Sequence, residues 1–225
     1  MKNIYNKINS GLTTLIAEAG VNHNGNLKIG EKLIDAAKRA GADCIKFQTY
    51  KAEKLTTRNA KRFWSWDGER KKNGSQFDSY SSLDKFNFKH YLHLFNYCKK
   101  KNIEFQSTPF DVDSLKILEK LGVNTYKIAS CDITNFLLLE RIARTRKPIF
   151  LSTGAANLNE VKDAVKLILK FNKKIVIMHC ILCYPTKMQD ANLKSITLLK
   201  KQFPKIPIGF SDHTLGTLAP TIASS

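Results

Sequence analysis

The sequence predicts an α/β protein built as a (β/α)8 TIM barrel that is truncated after the seventh strand. Seven apolar runs with strand character alternate with segments of helical periodicity. Each run ends in polar or ionisable residues, and barrel enzymes place their reacting groups at the C-terminal ends of parallel strands. The pattern therefore predicts an enzyme as well as a fold. The runs are TTLIAE, CIKFQ, IEFQST, TYKIAS, PIFLST, IVIMH and PIGFSDH.

The segments between the strands show the 3.6-residue period of amphipathic helices. Residues 27–41 place leucine and isoleucine on one stripe and end at Gly41. Residues 111–122 begin at a capping aspartate, Asp111 or Asp113, and end at a glycine. Because each helix returns the chain to the same end of the sheet, the strands should be parallel. Further helices are expected in residues 157–171, starting at Asn157 or Asn159, and in residues 193–203.

A long polar and aromatic insert, Arg58–Leu83, separates the second strand from the helix near FKHYLHLFNYCKK. Structureless loops of this length are uncommon in compact domains unless they are functional. The insert is therefore interpreted as a lid or substrate loop. The alternative is a surface excursion in which Trp64 and Trp66 pack on the barrel rim.

The sequence ends at PTIASS, where the helix after the seventh strand should begin. A parallel array without its eighth strand leaves two unpaired edges, which is costly. We therefore expect a single incomplete barrel domain, residues 1–225, that is a fragment or truncated product of a longer protein, unless a partner supplies the last strand.

Composition restricts the class of protein. No apolar stretch approaches the roughly 20 residues of a membrane span, and the first residues lack a secretory h-region. Five cysteines without a disulfide framework predict reduced thiols and a cytoplasmic location. Cys180 and Cys183 form a CxxC, but no second pair with metal-ligand spacing accompanies it.

The formal net charge of +18 could indicate nucleic-acid binding. The lysines are spread over predicted helix faces and loops rather than gathered in one segment, which favours solvated faces. A positive field would also steer an anionic small substrate towards a pocket.

Two lysines, Lys46 and Lys127, lie inside strand runs, where an ammonium group is costly unless it meets an anion or forms a covalent adduct. Together with hydroxyls at neighbouring strand ends they predict a cradle for phosphate and carboxylate. A Schiff base on one lysine is the competing interpretation. The hydroxyls are those of Thr108, Ser130, Ser152 and Ser211.

Two further residues could take part in chemistry. His213 at the end of the seventh run could ligate a divalent metal or transfer a proton. Glu18 is the carboxylate that ends the first run, suited to metal-water contact or to stabilising a developing cation. The alternative for Glu18 is an ion pair with Lys46 on the adjacent strand.

Seven motifs in order make the chain resemble the bacterial sialic acid synthase family, which includes N-acetylneuraminate synthases and their legionaminate and spore-coat polysaccharide relatives. They span nearly the whole chain. The motifs are AEAGVNHNG, IKFQTYKAEKL, STPFD, YKIAS, STG, HCILCYPT and IGFSDHT.

The resemblance implies condensation of phosphoenolpyruvate with the open-chain aldehyde of an N-acetylated hexosamine such as N-acetylmannosamine. The products would be a nine-carbon 3-deoxy-2-keto acid and phosphate, with Mn²⁺ or Mg²⁺ polarising the aldehyde. By position, His213 matches a metal ligand, and Glu18 matches a glutamate near the reacting carbons. The positions that match phosphoenolpyruvate contacts are Lys46, Thr108, Lys127, Ser130, Ser152 and Ser211.

On the sugar side the resemblance implies Gln48, Asp132 and Tyr184, although Asp132 is shorter than the glutamate frequent in relatives. A second metal histidine, expected in an eighth strand, has no counterpart here. The C-terminal antifreeze-like domain, which in the family gives an arginine to the partner subunit of a swapped homodimer, is also absent from these residues.

The amino sugar stays open, because specificity would lie largely in the insert and in the absent domain, so a legionaminate-type precursor is as admissible as N-acetylmannosamine. One alternative is a 3-deoxy-heptulosonate or octulosonate phosphate synthase, against which the NHNG and YPT motifs argue. Another is a catalytically silent barrel that binds phosphoenolpyruvate or a partner. A nucleic-acid-binding protein comes last, and its binding would depend on salt.

Overall fold

The computed structural model describes residues 3–62 and 74–224, which contain an alternation of strands and helices. The strands are β1 (Ile16–Gly20), β2 (Cys44–Thr49), β3 (Glu104–Pro109), β4 (Tyr126–Ile128), β5 (Ile149–Ser152), β6 (Ile175–Cys180) and β7 (Ile208–Ser211). The helices are α1 (Ile4–Asn9), α2 (Leu27–Arg39), α3 (Ala52–Leu55), α4 (Gln76–Leu83), α5 (Phe88–Lys101), α6 (Val112–Leu121), α7 (Phe136–Arg144), α8 (Leu158–Leu169), α9 (Lys194–Gln202) and α10 (Leu218–Ser224).

The chain divides into two compact units. The N-terminal unit comprises residues 15–123 and carries β1 to β3. The C-terminal unit comprises residues 124–225 together with residues 2–14, and carries β4 to β7. This division assigns each candidate site residue to one unit.

Strand pairing in the N-terminal unit is parallel, as predicted. Glu18 on β1 lies opposite Lys46 on β2, and the register shifts between Glu18 and Gly20. Gln48 on β2 lies opposite Thr108 on β3. Glu18 and Lys46 thus lie inside their strands, whereas Gln48 and Thr108 are each one residue before the end of theirs.

The C-terminal unit is also parallel throughout. Lys127 on β4 pairs with Phe150 on β5, and Ser152 on β5 pairs with Met178 on β6. Cys180 at the end of β6 pairs with Ser211 at the end of β7. The predicted α/β class with parallel strands is confirmed, and the described residues contain seven strands and no eighth.

Local capping explains where the predicted helices begin and end. Asp111 accepts from the Ser114 amide and is therefore the N-cap of α6, which decides between the two aspartates. Asn157 caps α8 through a capping box with Glu160. Helix α6 ends in a left-handed Gly122, as the sequence indicated.

Three details differ from the expectations. Part of the Arg58–Leu83 insert is helical, because Ser75 forms a capping box with Asp78 and starts α4. Residues 63–73 of the insert lie outside the described residues. For them the interpretation of the insert as a lid or substrate loop stays a prediction. Strand β4 is shorter than predicted, and Ser130 opens a 3-10 turn, Ser130–Asp132.

Apolar packing in the N-terminal unit is centred on β2 and β3. Phe47 stacks on Phe105 with ring centroids 5.3 Å apart, and Phe95 of α5 meets Phe105 edge-on. Among the described residues, no helix is long and apolar enough to cross a membrane.

Candidate functional site

The N-terminal unit places Glu18 and Lys46 in direct contact. The Lys46 Nζ forms an ion pair with Glu18 Oε2, so the alternative in which these residues pair is observed. The lysine side chain is 15% exposed and the glutamate side chain 44% exposed, so the carboxylate stays open to solvent. A ligand that binds at this pair would therefore meet little net charge, and the Glu18 carboxylate would be the more accessible of the two groups.

A tight turn after β1 brings the backbone against this pair. Gly20 has φ of +52°, and a Cβ built there would lie 3.2 Å from Glu18 Oε1 and 3.8 Å from Gln48 Nε2. The ends of the Glu18 and Gln48 side chains therefore lie within 4 Å of one point. Thr108, opposite Gln48, is 3% exposed and completes the strand-end residues of this unit.

In the C-terminal unit Lys127 is buried, with 6% of its surface exposed. Its Nζ donates to Ser152 Oγ and to the carbonyl oxygen of Ile128, the latter at 3.2 Å. Neither acceptor carries a charge. A buried ammonium group next to hydroxyls is suited to an anionic ligand, because the charge is already desolvated and oriented.

The loop after β5 continues this cluster. Ser130 Oγ accepts from the Gly154 amide at 2.9 Å. A Cβ at Gly154 would lie 2.8 Å from the Cys180 carbonyl oxygen, so the glycine lets this loop approach β6 closely. Four of the six residues predicted to contact phosphoenolpyruvate thus belong to this unit, namely Lys127, Ser130, Ser152 and Ser211.

His213 lies just beyond β7 rather than inside it. Its Nδ1 is 2.7 Å from the Ile181 carbonyl oxygen, and Tyr184 lies against the ring with centroids 4.0 Å apart. A carbonyl oxygen can only accept, so Nδ1 carries the proton and Nε2 keeps its lone pair. The predicted role of His213 as a metal ligand would use Nε2.

The His213 ring also lies beside Cys180, whose Sγ is 3.8 Å from Nδ1. Burial lowers the pKa of His213, but the Cys180 thiol and the Ile181 carbonyl raise it, and the net shift is upward. Burial raises the pKa of Cys180, whereas His213, Ser130 and Lys127 lower it, and the net shift is downward.

The predicted sugar-side residues are divided between the units. Gln48 is in the N-terminal unit, while Asp132 and Tyr184 are in the C-terminal unit. Asp132 Oδ1 accepts from the Asn135 side chain at 3.3 Å, and Tyr184 is 59% exposed. Tyr184 is therefore accessible to a ligand.

The fit to a divalent metal is partial. His213 offers one nitrogen ligand, but the described residues contain no group of three or more histidine, cysteine, aspartate or glutamate residues that could hold an ion.

Two buried residues of the N-terminal unit, His23 and Tyr91, were not among the predicted site residues. His23, in the NHNG motif, is 1% exposed and its Nδ1 accepts from the Gly25 amide at 3.1 Å. Burial and the neighbouring His90 lower the pKa of His23 to about 4. Tyr91 on α5 donates its hydroxyl to the Gln48 carbonyl at 3.1 Å. The spacing of the NHNG motif was a signal for His23, and nothing local marked Tyr91.

The chain is similar to proteins of one family over most of its length. The model of the NeuB family matches residues 33–225. The chain is 39% identical over 214 residues to the N,N'-diacetyllegionaminic acid synthase of Legionella pneumophila, covering 93% of this chain and 60% of that protein. It is 41% identical over 207 residues to the enzyme of the same name from Campylobacter jejuni, covering 91% of this chain and 61% of that one.

A solved structure agrees with these relatives. The N-acetylneuraminic acid synthetase of Leptospira borgpetersenii, crystallised with citrate, superposes with a TM-score of 0.81 at 40% identity. The match covers 93% of this chain and 68% of that one. The chain thus spans about 60% of the length of the curated relatives described above. From its matched residues and its identity to these synthases, the chain belongs to the NeuB family.

Proposed function

We propose that this chain provides the phosphoenolpyruvate-binding barrel of an enzyme that condenses phosphoenolpyruvate with an N-acetylated hexosamine. The observation that carries the proposal is the buried Lys127, which lies against Ser152 beside a loop shaped by Gly154 in a member of the NeuB family. A desolvated ammonium group with adjacent hydroxyls is what a phosphate or carboxylate requires.

The reaction balances without an oxidant or reductant. C3 of the enolpyruvate forms a bond to the aldehyde carbon of the open-chain sugar, whose oxygen takes a proton. Water adds its oxygen at C2, and phosphate then leaves with cleavage of the C–O bond. The product is a 3-deoxy-2-keto sugar acid.

The residues have distinct roles in this scheme. Lys127, Ser130, Ser152 and Ser211 hold the phosphate and carboxylate and stabilise charge that develops on leaving. Lys46 and Thr108, in the N-terminal unit, are the other two positions that match the family's phosphoenolpyruvate contacts. Glu18 stabilises the cationic character that develops at C2 when the double bond attacks. The sugar-binding residues are Gln48, Asp132 and Tyr184.

The divalent ion and the homodimer belong to the same proposal. When bound, Mn²⁺ or Mg²⁺ supplies Lewis-acid polarisation of the aldehyde. His213 Nε2 would be one of its ligands. We expect chelator to abolish turnover and added Mn²⁺ to restore it, and light scattering to report a dimer for the active form.

The proposed amino sugar is N-acetylmannosamine or a legionaminate-type precursor. The similarity to proteins named N,N'-diacetyllegionaminic acid synthases supports testing both substrates.

The test measures phosphate release from phosphoenolpyruvate by two proteins. One is this chain, and the other is a chimera that continues it with the C-terminal portion of the Leptospira synthetase. We expect release by the chimera that requires an amino sugar, with a product mass equal to both substrates plus water minus phosphoric acid. Absence of release with either sugar would contradict the proposal.

A second outcome is favoured by a specific observation: the described residues contain no group of three or more histidine, cysteine, aspartate or glutamate residues that could hold a metal ion. If the chimera is active and this chain alone is not, these residues form a silent barrel that binds phosphoenolpyruvate. Equilibrium binding of phosphoenolpyruvate to the chain alone tests this outcome directly.

A further inference from the structure

The segment Asp84–Tyr91, here called the stem segment, follows the insert and contacts both sugar-side strand ends of the N-terminal unit. Asp84 Oδ1 accepts from Lys51 Nζ at 2.7 Å, and Asp84 Oδ2 accepts from the Ala52 amide at 3.0 Å. The Asp84 side chain is 13% exposed, so the contact is shielded from water more than a surface ion pair. It holds the backbone that immediately follows β2.

Tyr91 holds the end of β2 itself. Its hydroxyl donates to the carbonyl oxygen of Gln48 at 3.1 Å, and the residue is 5% exposed. Burial raises the pKa of Tyr91 above its usual value, so the hydroxyl remains a donor throughout the physiological range. A buried hydroxyl that loses its acceptor pays a desolvation penalty, which favours one position of the Gln48 peptide.

The stem segment reaches the β1 turn through Phe86. This ring stacks on His23 with centroids 3.9 Å apart and an interplanar angle of 8°, and it meets Tyr91 edge-on at 5.7 Å. Next to it, a Cβ at Gly25 would lie 2.5 Å from Lys85 Cδ, so the turn packs directly on the stem. One short segment thus contacts the turn after Glu18 and the strand end that carries Gln48.

We propose that Tyr91 is a positioning residue for the sugar half of the site, assisted by Asp84. This inference rests on the proposed function, because it assigns the Gln48 strand end to the amino sugar. The stem segment links the turn after Glu18 to the strand end that carries Gln48. Loss of the Tyr91 hydroxyl should therefore weaken use of the sugar much more than binding of phosphoenolpyruvate, since four of the six residues predicted to contact phosphoenolpyruvate lie in the other unit.

The test compares Tyr91→Phe with Tyr97→Phe in whichever of the two proteins, the chain or the chimera, releases phosphate. Both tyrosines are on α5, and the Tyr97 hydroxyl donates to Asp35 Oδ2 on α2 at 3.0 Å rather than to β2. We expect Tyr91→Phe to raise the KM for the amino sugar about fivefold, the range of one hydrogen bond, with phosphoenolpyruvate affinity within twofold. Tyr97→Phe should leave both quantities unchanged. Equal effects of the two variants on the sugar KM would overturn the proposal.

Amide hydrogen exchange provides a readout that needs no turnover. Residues 48–52 should exchange faster in Tyr91→Phe and in Asp84→Asn than in wild type or Tyr97→Phe. If wild type shows no phosphate release with any amino sugar, the proposed function fails, and the exchange result still decides whether Tyr91 positions β2. Unchanged exchange in Tyr91→Phe would refute the positioning role itself.

Discussion

Each unit carries a lysine inside a parallel strand, but the surroundings of the two lysines differ. In the N-terminal unit Lys46 pairs with Glu18, a carboxylate that is 44% exposed. In the C-terminal unit Lys127 is buried and hydrogen-bonds to a hydroxyl and a carbonyl, which are uncharged. Glu18 offsets the charge of Lys46, so a ligand there meets an ion pair with little net charge. Burial shields the Lys127 ammonium group from water, which suits an anionic ligand. Residue type and strand position therefore do not by themselves define a role.

The two units also differ in the direction in which the pKa of a histidine is shifted. Burial and His90 lower the pKa of His23 in the N-terminal unit to about 4. His213 in the C-terminal unit has its pKa raised overall, because contacts with Cys180 and Ile181 outweigh burial. Acid should therefore weaken the N-terminal unit, whereas protonation of His213 favours the folded C-terminal unit.

The largest expected effect tests the buried lysine. Lys127→Ala should lower phosphate release by about 10³-fold, because it removes a charged donor that stabilises the leaving phosphate. Phosphoenolpyruvate binding should weaken in parallel, as measured by calorimetry. The exposed Lys162→Ala on α8 is the control for a lost positive charge. Near-native turnover in Lys127→Ala would remove the distinction between the two lysines.

The next largest effect concerns stability against pH. The folded-state pKa of His23 lies below the unfolded value of 6.5, so the unfolded chain binds more protons between pH 6.5 and 4. The free energy of unfolding should fall by about 3 kcal/mol as the pH drops through this window. Urea denaturation at several pH values measures it.

The matched variants are His23→Phe, which keeps the ring that stacks on Phe86, and His93→Gln, which removes an exposed histidine paired with Glu31. The first should flatten the pH dependence and the second should preserve it. A slope that is the same in His23→Phe and wild type would assign the acid sensitivity to other groups.

A smaller effect follows from removing the carboxylate that neutralises Lys46. Glu18→Gln should lower kcat about 30-fold, since a stabilising charge near the reacting carbons is lost, which corresponds to roughly 2 kcal/mol. The same change frees Lys46 and should tighten phosphoenolpyruvate binding. A lower kcat together with a lower dissociation constant for phosphoenolpyruvate distinguishes this outcome from general damage to the fold. Weaker binding would show that Lys46 and Glu18 act only as a structural pair.

Much of this arrangement could be predicted from the sequence, because strand ends in an α/β alternation are fixed by hydrophobic runs and capping residues. Thr108 and Ser152 lie at or next to such ends, and Lys46 and Lys127 lie inside their strands, as predicted. What could not be predicted is the network of contacts between distant residues. His23 and Phe86 are 63 positions apart in sequence and 3.9 Å apart as rings, and no local period records such a contact.

The secondary structure of the Arg58–Leu83 insert was also not predicted from the sequence. Its polar composition suggested a loop, yet residues 76–83 form a helix because a capping box starts it. Nor could the sequence decide between an ion pair and a free carboxylate for Glu18. That choice depends on how Lys46 and Glu18 face each other across two paired strands.

The smallest expected effect separates backbone strain from crowding of the site at Gly20. Gly20 and Gly41 both have positive φ, +52° and +80°, so alanine at either position costs roughly 1 kcal/mol of stability. At Gly41 the added methyl group meets nothing within 4 Å, whereas at Gly20 it lies 3.2 Å from Glu18 Oε1. We therefore expect both variants to lose similar stability in thermal denaturation. Only Gly20→Ala should raise the KM for the amino sugar. If Gly41→Ala raised the sugar KM equally, the effect would come from strain in the N-terminal unit as a whole. The close approach of Gly20 to Glu18 and Gln48 would then have no part in substrate binding.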